Sequence, residues 1–551
     1  MPVLLLRRDG PVGLITINEP PVNALSVNVR KALLEGFAAM RADPEIEAIV
    51  LLCGGRTFIA GFDISEFGGG LQEPHLQLVL DAVEHVGKPT VAAIHGTALG
   101  GGFELAMLCS HRIAVSSAAV GLPEVKIGLM PGAGGTQRLP RVVGPELALD
   151  LMLTGRPVGG AEALELGLID CLAEEGQLEA EAIAFARRII KASEPLRPIG
   201  DRQELVEPFR GRSEFFAAYR ESKATEFRGF NAHEAIISAV EAAVELPIAE
   251  GLQRERELCN ILLETRESLA QRHAFFAERR AAKVPGLPPS GETRRIMSIG
   301  IHGNGQAAET AAHCFAGSRV PVSQFDPAGC GAGGAQLIVV TGNAGLPRCV
   351  PSEAIIVLTE DLAMLDDVAA NADVPENVVG LHLRSDGRRL AEVVRGQRSD
   401  PAVLGTLVDL LRRSGKAPIV CTPSPGLIRD RLMAVLRNRA EEMRSEGVAA
   451  LTIDAALYDY GFRPGLLFGD VDTVLPATDK IGLDSILKRL LAAVVKEGRR
   501  LIAEGVARRA SDIDIAAIHG LEWPIYTGGP MFWAETAGDD DEQMLPESGP
   551  H

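Results

Sequence analysis

Short apolar runs broken by turn residues open the chain. Val3 to Arg7 and Val12 to Ile17 read as strands, and Pro20-Pro21 ends them. Ser26 is placed to cap a helix running to about Met40, and Ala48 to Leu52 is apolar enough for a strand buried on both faces. Thr90 to Ile94, entered through Pro89, is another. After Ile169 the spacing turns helical, with long amphipathic stretches from Glu179 to Ala192 and from Leu252 to Arg280. Val284 to Thr293 holds three prolines and two glycines in ten residues and reads as a linker. A fresh strand begins at Ile296 and opens an α/β region, and from Gly426 the pattern is helical again. No repeat of solenoid period occurs.

Two glycine-rich turns sit where strands give way to helices. Phe58-Ile59-Ala60-Gly61-Phe62-Asp63-Ile64 follows one buried strand, and Ala98-Leu99-Gly100-Gly101-Gly102-Phe103-Glu104-Leu105-Ala106 follows another. Glycines at such a junction let backbone N–H groups point into a cavity at a helix N-terminus, and one N–H from each turn makes an oxyanion hole. Glu104 falls on the first turn of the second helix. Further on, Gly121-Leu122-Pro123-Glu124 brings a second carboxylate in a loop, followed by the turn Pro131 to Thr136. Taken singly, a glycine triplet is a tight turn and a Glu at a helix start complements the dipole. Their joint order is the informative feature.

In that order, AGFDI, ALGGGFELA and GLPEVKIGLMPGAGGTQRLPR, the segment resembles the crotonase superfamily motif by motif over about 190 residues. It is similar above all to the hydratase/isomerase part of the L-bifunctional (multifunctional type 1) β-oxidation enzymes. The resemblance implies that the N–H groups of Ala60 and Gly101 hold a CoA thioester oxygen. It also implies that Glu104 deprotonates the water attacking Cβ while Glu124 delivers a proton to Cα. The expected activity is hydration of trans-2-enoyl-CoA, with Δ3,Δ2-enoyl-CoA isomerisation as a second use of the same pair, and no cofactor.

Beyond the linker, Ile296 to Ile301 runs into Gly303-Asn304-Gly305-Gln306-Ala307-Ala308, a GxGxxA turn opening a helix. A strand from Val320 to Phe325 then ends in Asp326, 23 residues after the first glycine. Strand, glycine turn, helix, strand and acid is the dinucleotide-binding arrangement, which makes Gly303, Gly305, Ala308 and Asp326 the candidate NAD contacts. The rest resembles 3-hydroxyacyl-CoA dehydrogenase. His382 in Gly380-Leu381-His382 stands for that family's catalytic His, and Glu392 in Leu390-Ala391-Glu392-Val393-Val394 for the Glu that orients it. Ser424-Pro425-Gly426-Leu427-Ile428 and the stretch from His519 to Phe532 match later landmarks.

The departures from that family are specific. Leu383-Arg384-Ser385-Asp386 replaces Phe-Phe-Asn-Pro, Thr359-Glu360-Asp361 replaces Asn-Thr-Ser, and Asp430 replaces an Asn. The family's long helical excursion is missing after Asp326. Carboxylates beside an anionic cofactor repel it, so the dehydrogenase half is expected to be impaired and to brace the hydratase. The competing readings are a fully working bifunctional enzyme and a non-catalytic acyl-CoA-binding scaffold. Two carboxylates in an apolar pocket serve a scaffold poorly.

The expected fold is α/β. A crotonase (spiral ββα) core at 1–190 leads into a helical extension and linker helix at 191–283 and a flexible linker at 284–294. A shortened Rossmann-like domain at 295–423 and an all-helical domain at 424–551 with an acidic tail follow. At 551 residues several cores are needed, and 46% hydrophobic with 23% charged residues is ordinary for a soluble protein. A formal charge of −18 argues against nucleic acid or an anionic membrane as partner. The eight cysteines show no CxxC and no zinc spacing, so no metal is expected. No apolar run of membrane-spanning length and no signal peptide is visible, and a cytoplasmic enzyme is the expectation.

Overall fold

The computed structural model describes residues 2–64, 66, 72–193, 195–283, 286, 293–325, 334–342, 346–347, 350–469 and 480–536, the side chains of 480 and 481 excepted. Asp326, most of the expected linker at 284–294 and the acidic tail lie outside the described residues. The chain divides into two compact units, Met1–Leu269 and Ala270–His551. That division falls inside the helix Arg266–Ala281, upstream of the proline-rich segment.

The first unit is built on strands β1 (Leu4–Asp9), β2 (Val12–Ile17), β3 (Ala48–Cys53), β4 (Thr90–Ile94), β5 (Thr97–Leu99), β6 (His111–Val115), β7 (Ala119–Gly121), β8 (Val158–Gly159) and β9 (Cys171–Ala173). A six-stranded sheet runs in the order β1-β2-β3-β4-β6-β9, antiparallel only between β1 and β2. β3 and β4 are buried at every residue, which is why each reads as an unbroken apolar run. The helix Val27–Ala42 starts where expected, with the Ser26 hydroxyl accepting the N–H of Val29 at 3.3 Å.

A smaller sheet, β5-β7-β8, positions the site. β5 and β7 are parallel neighbours with Leu99 paired to Gly121. The two segments carrying Glu104 and Glu124 therefore leave the sheet side by side.

The expected helix from Leu252 to Arg280 is two helices, Ile248–Glu264 and Arg266–Ala281. Thr265 is extended between them, and its hydroxyl donates to the Leu262 carbonyl while accepting the N–H of Ser268. A single residue thus closes one helix and caps the next.

The second unit holds β10 (Ile299–His302), β11 (Val322–Phe325), β12 (Leu337–Val340), β13 (Ile355–Leu358), β14 (Val378–Leu383), β15 (Leu390–Val394) and β16 (Ala417–Cys421). Their order is β11-β10-β12-β13-β14-β15-β16, parallel except between β14 and β15. Side chains alternate strictly across this sheet. Leu337, Val339, Ile355 and Val357 enter one core with the helices Gly305–Ala316 and Pro401–Arg413. Ile338, Val340, Ile356 and Leu358 enter the other with the C-terminal helices. Ala274, Ala277 and Ala281 belong to that second core. β11 is shorter than the run from Val320 predicts, because Arg319 takes φ 61° and Pro321 follows.

Candidate active site

The first glycine turn is held from behind by a residue that local pattern does not mark. Buried Asn23 directs its Nδ2 at the carbonyls of Gly54, Thr57 and Phe58 at 2.8–3.0 Å. The buried Arg30 guanidinium donates to the carbonyls of Leu25 and Pro74, forms a 2.9 Å pair with Glu66, and lies 5.2 Å from the Phe62 ring centroid. In this frame the N–H of Ala60 donates to the Val22 carbonyl at 3.2 Å. That corrects the expectation for Ala60, whose donor is already committed to the backbone. The amide nitrogen of the turn nearest Gly101 is that of Phe62, 3.7 Å from the position a Gly101 side chain would take.

The second turn needs its glycines for close approach. Any side chain at Gly102 would strike the Ile59 carbonyl, so glycine there lets the two turns touch. Gly100 adopts φ 53°, ψ −131°, and a Cβ on it would lie 2.7 Å from Glu124 Oε1. The helix Gly101–Leu108 then begins, and the N–H groups of Phe103 and Glu104 turn back to the Gly100 carbonyl. The N–H of Gly101 is the first of this helix and has no intrahelical acceptor.

Glu104 is 2% exposed, and its Oε1 accepts the N–H groups of Ala133 at 2.8 Å and Gly135 at 2.7 Å. Burial lifts its carboxyl to about 7, against the pull of those two amides and of Arg138. Glu124 opens the short turn Glu124–Ile127, and its Oε2 has no hydrogen-bond partner among the described residues. Burial first, and then the negative charge of Glu104, hold its proton well above the usual carboxylate range. The pair is thereby made unequal. Glu104, with two donors on one oxygen, ionises first, and Glu124 keeps its proton.

A third carboxylate stands beside them. Glu255, on the helix Ile248–Glu264, is 1% exposed, and its Oε1 accepts the Gly134 N–H at 2.6 Å. Its Oε2 accepts the Thr136 N–H at 3.0 Å and the Thr136 hydroxyl. It comes from more than a hundred residues along the chain, and only the missing aliphatic residue at a buried helix position could have flagged it.

In the second unit, His382 and Glu392 face each other across the β14–β15 pair. Glu392 is fully buried and spends Oε1 on the N–H groups of Ile428 at 2.9 Å and Arg429 at 3.2 Å, at the start of the helix Ile428–Ser445. Its Oε2 has no partner among the described residues, and burial raises it to about 7. His382 Nε2 lies 3.8 Å from Asp430 Oδ2, and burial lowers its pKa while Asp430 opposes that shift.

Gly303, at φ 128°, packs against Thr341, and its carbonyl accepts Nε2 of Gln324 at 2.9 Å. Gly305 opens the helix, and Ala308 is buried within it. Glu360 and Asp361 are exposed just past the end of β13. Among the described residues no group of His, Cys, Asp or Glu has a metal-binding arrangement, and no helix is long and apolar enough to cross a membrane.

Comparison with known proteins gives two family matches. Residues 7–199 match enoyl-CoA hydratase/isomerase. Residues 343–424 match the NAD-binding domain of 3-hydroxyacyl-CoA dehydrogenase, a stretch that includes His382 and Glu392 but not the glycine turn. A peroxisomal bifunctional enzyme of Homo sapiens is 30% identical over 678 aligned positions, covering 97% of this chain and 92% of the relative. The peroxisomal bifunctional enzyme of Danio rerio is 30% identical with the same coverage. A glyoxysomal fatty acid β-oxidation multifunctional protein of Cucumis sativus is 27% identical over 98% of this chain and 93% of its own. With 551 residues set against 678 aligned positions, more than a hundred of those positions have no counterpart here. The relatives' names point to peroxisomes and glyoxysomes, so the cytoplasmic setting expected from the sequence is not carried further.

Proposed function

The chain belongs to the L-bifunctional β-oxidation enzyme family, with a crotonase-type unit followed by a 3-hydroxyacyl-CoA dehydrogenase-type unit, and on that premise we propose that it hydrates trans-2-enoyl-CoA thioesters. The observation that carries the reading is the pair of buried Glu104 and half-buried Glu124, the latter with its Oε2 shielded from solvent, with unequal hydrogen bonding. The thioester oxygen sits at the first N–H of the helix at Gly101 and at the neighbouring amide of the 60–62 turn. Glu104 takes a proton from water as its oxygen bonds to Cβ. The C=C electrons move onto the thioester oxygen as an enolate, where each positioned donor contributes about 3–4 kcal/mol of transition-state stabilisation. The enolate collapses by taking the Glu124 proton at Cα, and proton transfer with water resets both carboxyls. The same pair serves Δ3,Δ2-isomerisation by taking a proton from Cα and returning one at Cγ.

The second unit is proposed as an impaired dehydrogenase that retains its fold. Its residues do not fit a nicotinamide dinucleotide. Two exposed carboxylates, Glu360 and Asp361, stand past the end of β13, where they oppose an anionic cofactor. The Gly303 carbonyl is tied to Gln324, and the family match begins only after the glycine turn.

The test uses purified full-length protein and trans-2-enoyl-CoA substrates from short to long chain. Loss of the conjugated thioester absorbance is expected, and no turnover on any chain length would overturn the hydratase reading. In parallel, 3-hydroxyacyl-CoA with excess NAD is expected to give no NADH. Turnover above about 1 s⁻¹, the low end of ordinary enzymes, would restore a working bifunctional enzyme.

A further inference from the structure

The loop from Ala133 to Thr136 presents four successive amides to two different carboxylates in alternation. Ala133 and Gly135 donate to Glu104, and Gly134 and Thr136 donate to Glu255. Successive N–H groups of an extended or tightly turned backbone point to opposite sides, so a loop held at every residue has little freedom left. Glu255 reaches it from the helix Ile248–Glu264, outside the matched hydratase segment 7–199. Gly251, one turn earlier on that helix, allows the close seating, since a side chain there would strike Oε1 of Gln137.

We propose that Glu255 is a positioning residue for the hydration: it fixes Glu104 through their shared loop and, once ionised, its negative charge holds the proton on Glu124. The inference rests on the hydratase reading of the site. Glu255 touches no reacting atom, and its effect on catalysis passes through the loop and through charge.

The charged surroundings support this. Arg138, on the helix Gly135–Val143, is the cation acting on Glu104 and Glu255, and it is partly neutralised by a 2.8 Å pair with Glu84. Cys259, one turn beyond Glu255, has its thiol pushed up to about 12 by burial and then by Glu255, so it adds no charge. Burial lifts Glu255 itself to about 8, with the charge of Glu104 next in size, while Thr136 and Gly134 pull it back. Glu255 in turn raises Glu124. Three carboxyls in one dry site share fewer than three negative charges near neutral pH.

The test is Glu255→Gln in the full-length chain. Removing the charge that Glu255 carries above about pH 8 makes Glu124 easier to ionise. The alkaline limb of the kcat–pH profile, set by Glu124, is expected to move to lower pH by about one unit, the lower end of the effect of a like charge at this range, while the acid limb set by Glu104 stays. On the alkaline limb that is about a tenfold loss of kcat. KM is expected to stay within about threefold, because no contact with the thioester is altered. Thr136→Val keeps the side-chain shape, deletes the hydroxyl that favours ionised Glu255, and should move the alkaline limb the same way by less.

The carboxylic-acid carbonyl band in difference infrared spectra, followed against pH, reads proton occupancy without turnover. In Glu255→Gln it should lose the Glu255 component and titrate at lower pH, and in Thr136→Val the Glu255 component should move to higher pH, with buried Glu392 as an unchanged reference. An unmoved alkaline limb in both variants, with the remaining band unmoved in Glu255→Gln, would overturn the proposal, even if kcat fell, since a purely structural role lowers kcat equally at all pH. If wild-type protein hydrates nothing, the hydratase reading fails by itself. The infrared band then still decides whether Glu255 controls the shared protons.

Discussion

Gly100→Ala isolates what position alone contributes to the proton donor. At φ 53°, ψ −131° an alanine is strained, which costs about 1–3 kcal/mol of stability. Its Cβ also stands 2.7 Å from Glu124 Oε1, where ordinary contact is about 3.5 Å, so the carboxyl has to retreat by about 0.8 Å. A misplacement of about 1 Å at a reacting group costs on the order of a hundredfold. The expected result is a kcat lower by about thirty- to a hundredfold with KM within about threefold, measured by the enoyl-CoA hydration assay. Gly10→Ala is the control. Gly10 has φ 58° in the hairpin between β1 and β2, with nothing within 4 Å of its Cβ, so strain is added without any contact to the site. It should lower the melting temperature and leave kcat alone. A Gly100→Ala enzyme with kcat within about threefold of wild type would refute the claim that this glycine sets the place of Glu124.

Glu392→Gln addresses the second unit through pH. A carboxyl raised from 4.5 to about 7 by burial keeps its proton when folded, so wild-type stability falls as pH rises from about 4.5 and levels off above about 7. The variant should lack that part of the slope, a difference of up to about 3 kcal/mol in denaturant titrations at pH 5 and pH 8. Equal slopes would show that Glu392 is already ionised. Arg30→Leu leaves Glu66 without its cation in a buried setting and frees three carbonyls, those of Leu25, Gln72 and Pro74. A loss of about 3–5 kcal/mol in unfolding free energy is expected, and a loss under about 1 kcal/mol would place the pair among weak surface bridges.

Much of the site was legible because its parts are local. The glycine turns, Glu104 on a first helical turn and Glu124 in a loop lie within one stretch of sequence, and short spacing constrains short-range geometry. Ala60 shows where that ends. Which amide of the turn meets Gly101 depends on Gly61 at φ 122°, and a residue free to take such angles leaves the N–H directions around it open. Glu255 was barely legible, since its partners Gly134 and Thr136 lie far along the chain and its own helix offers only a polar residue at a buried position. The strands β5 and β7 that bring the carboxylates together are three residues each, too short for a period-2 pattern to register. The break at Thr265 was hidden because apolar spacing continues across it and threonine is not a helix breaker of the strength of Pro or Gly.

The division of labour between Glu104 and Glu124 is tested most directly by measuring kcat for Glu104→Gln and Glu124→Gln side by side on one trans-2-enoyl-CoA. Each glutamine preserves shape and removes one proton-transfer group, the kind of contribution worth about two to four orders of magnitude. The account predicts that both variants fall by that amount while still binding the thioester with near wild-type affinity. A variant that keeps kcat within about tenfold of wild type would contradict the role given to its residue and, with it, the two-carboxylate mechanism.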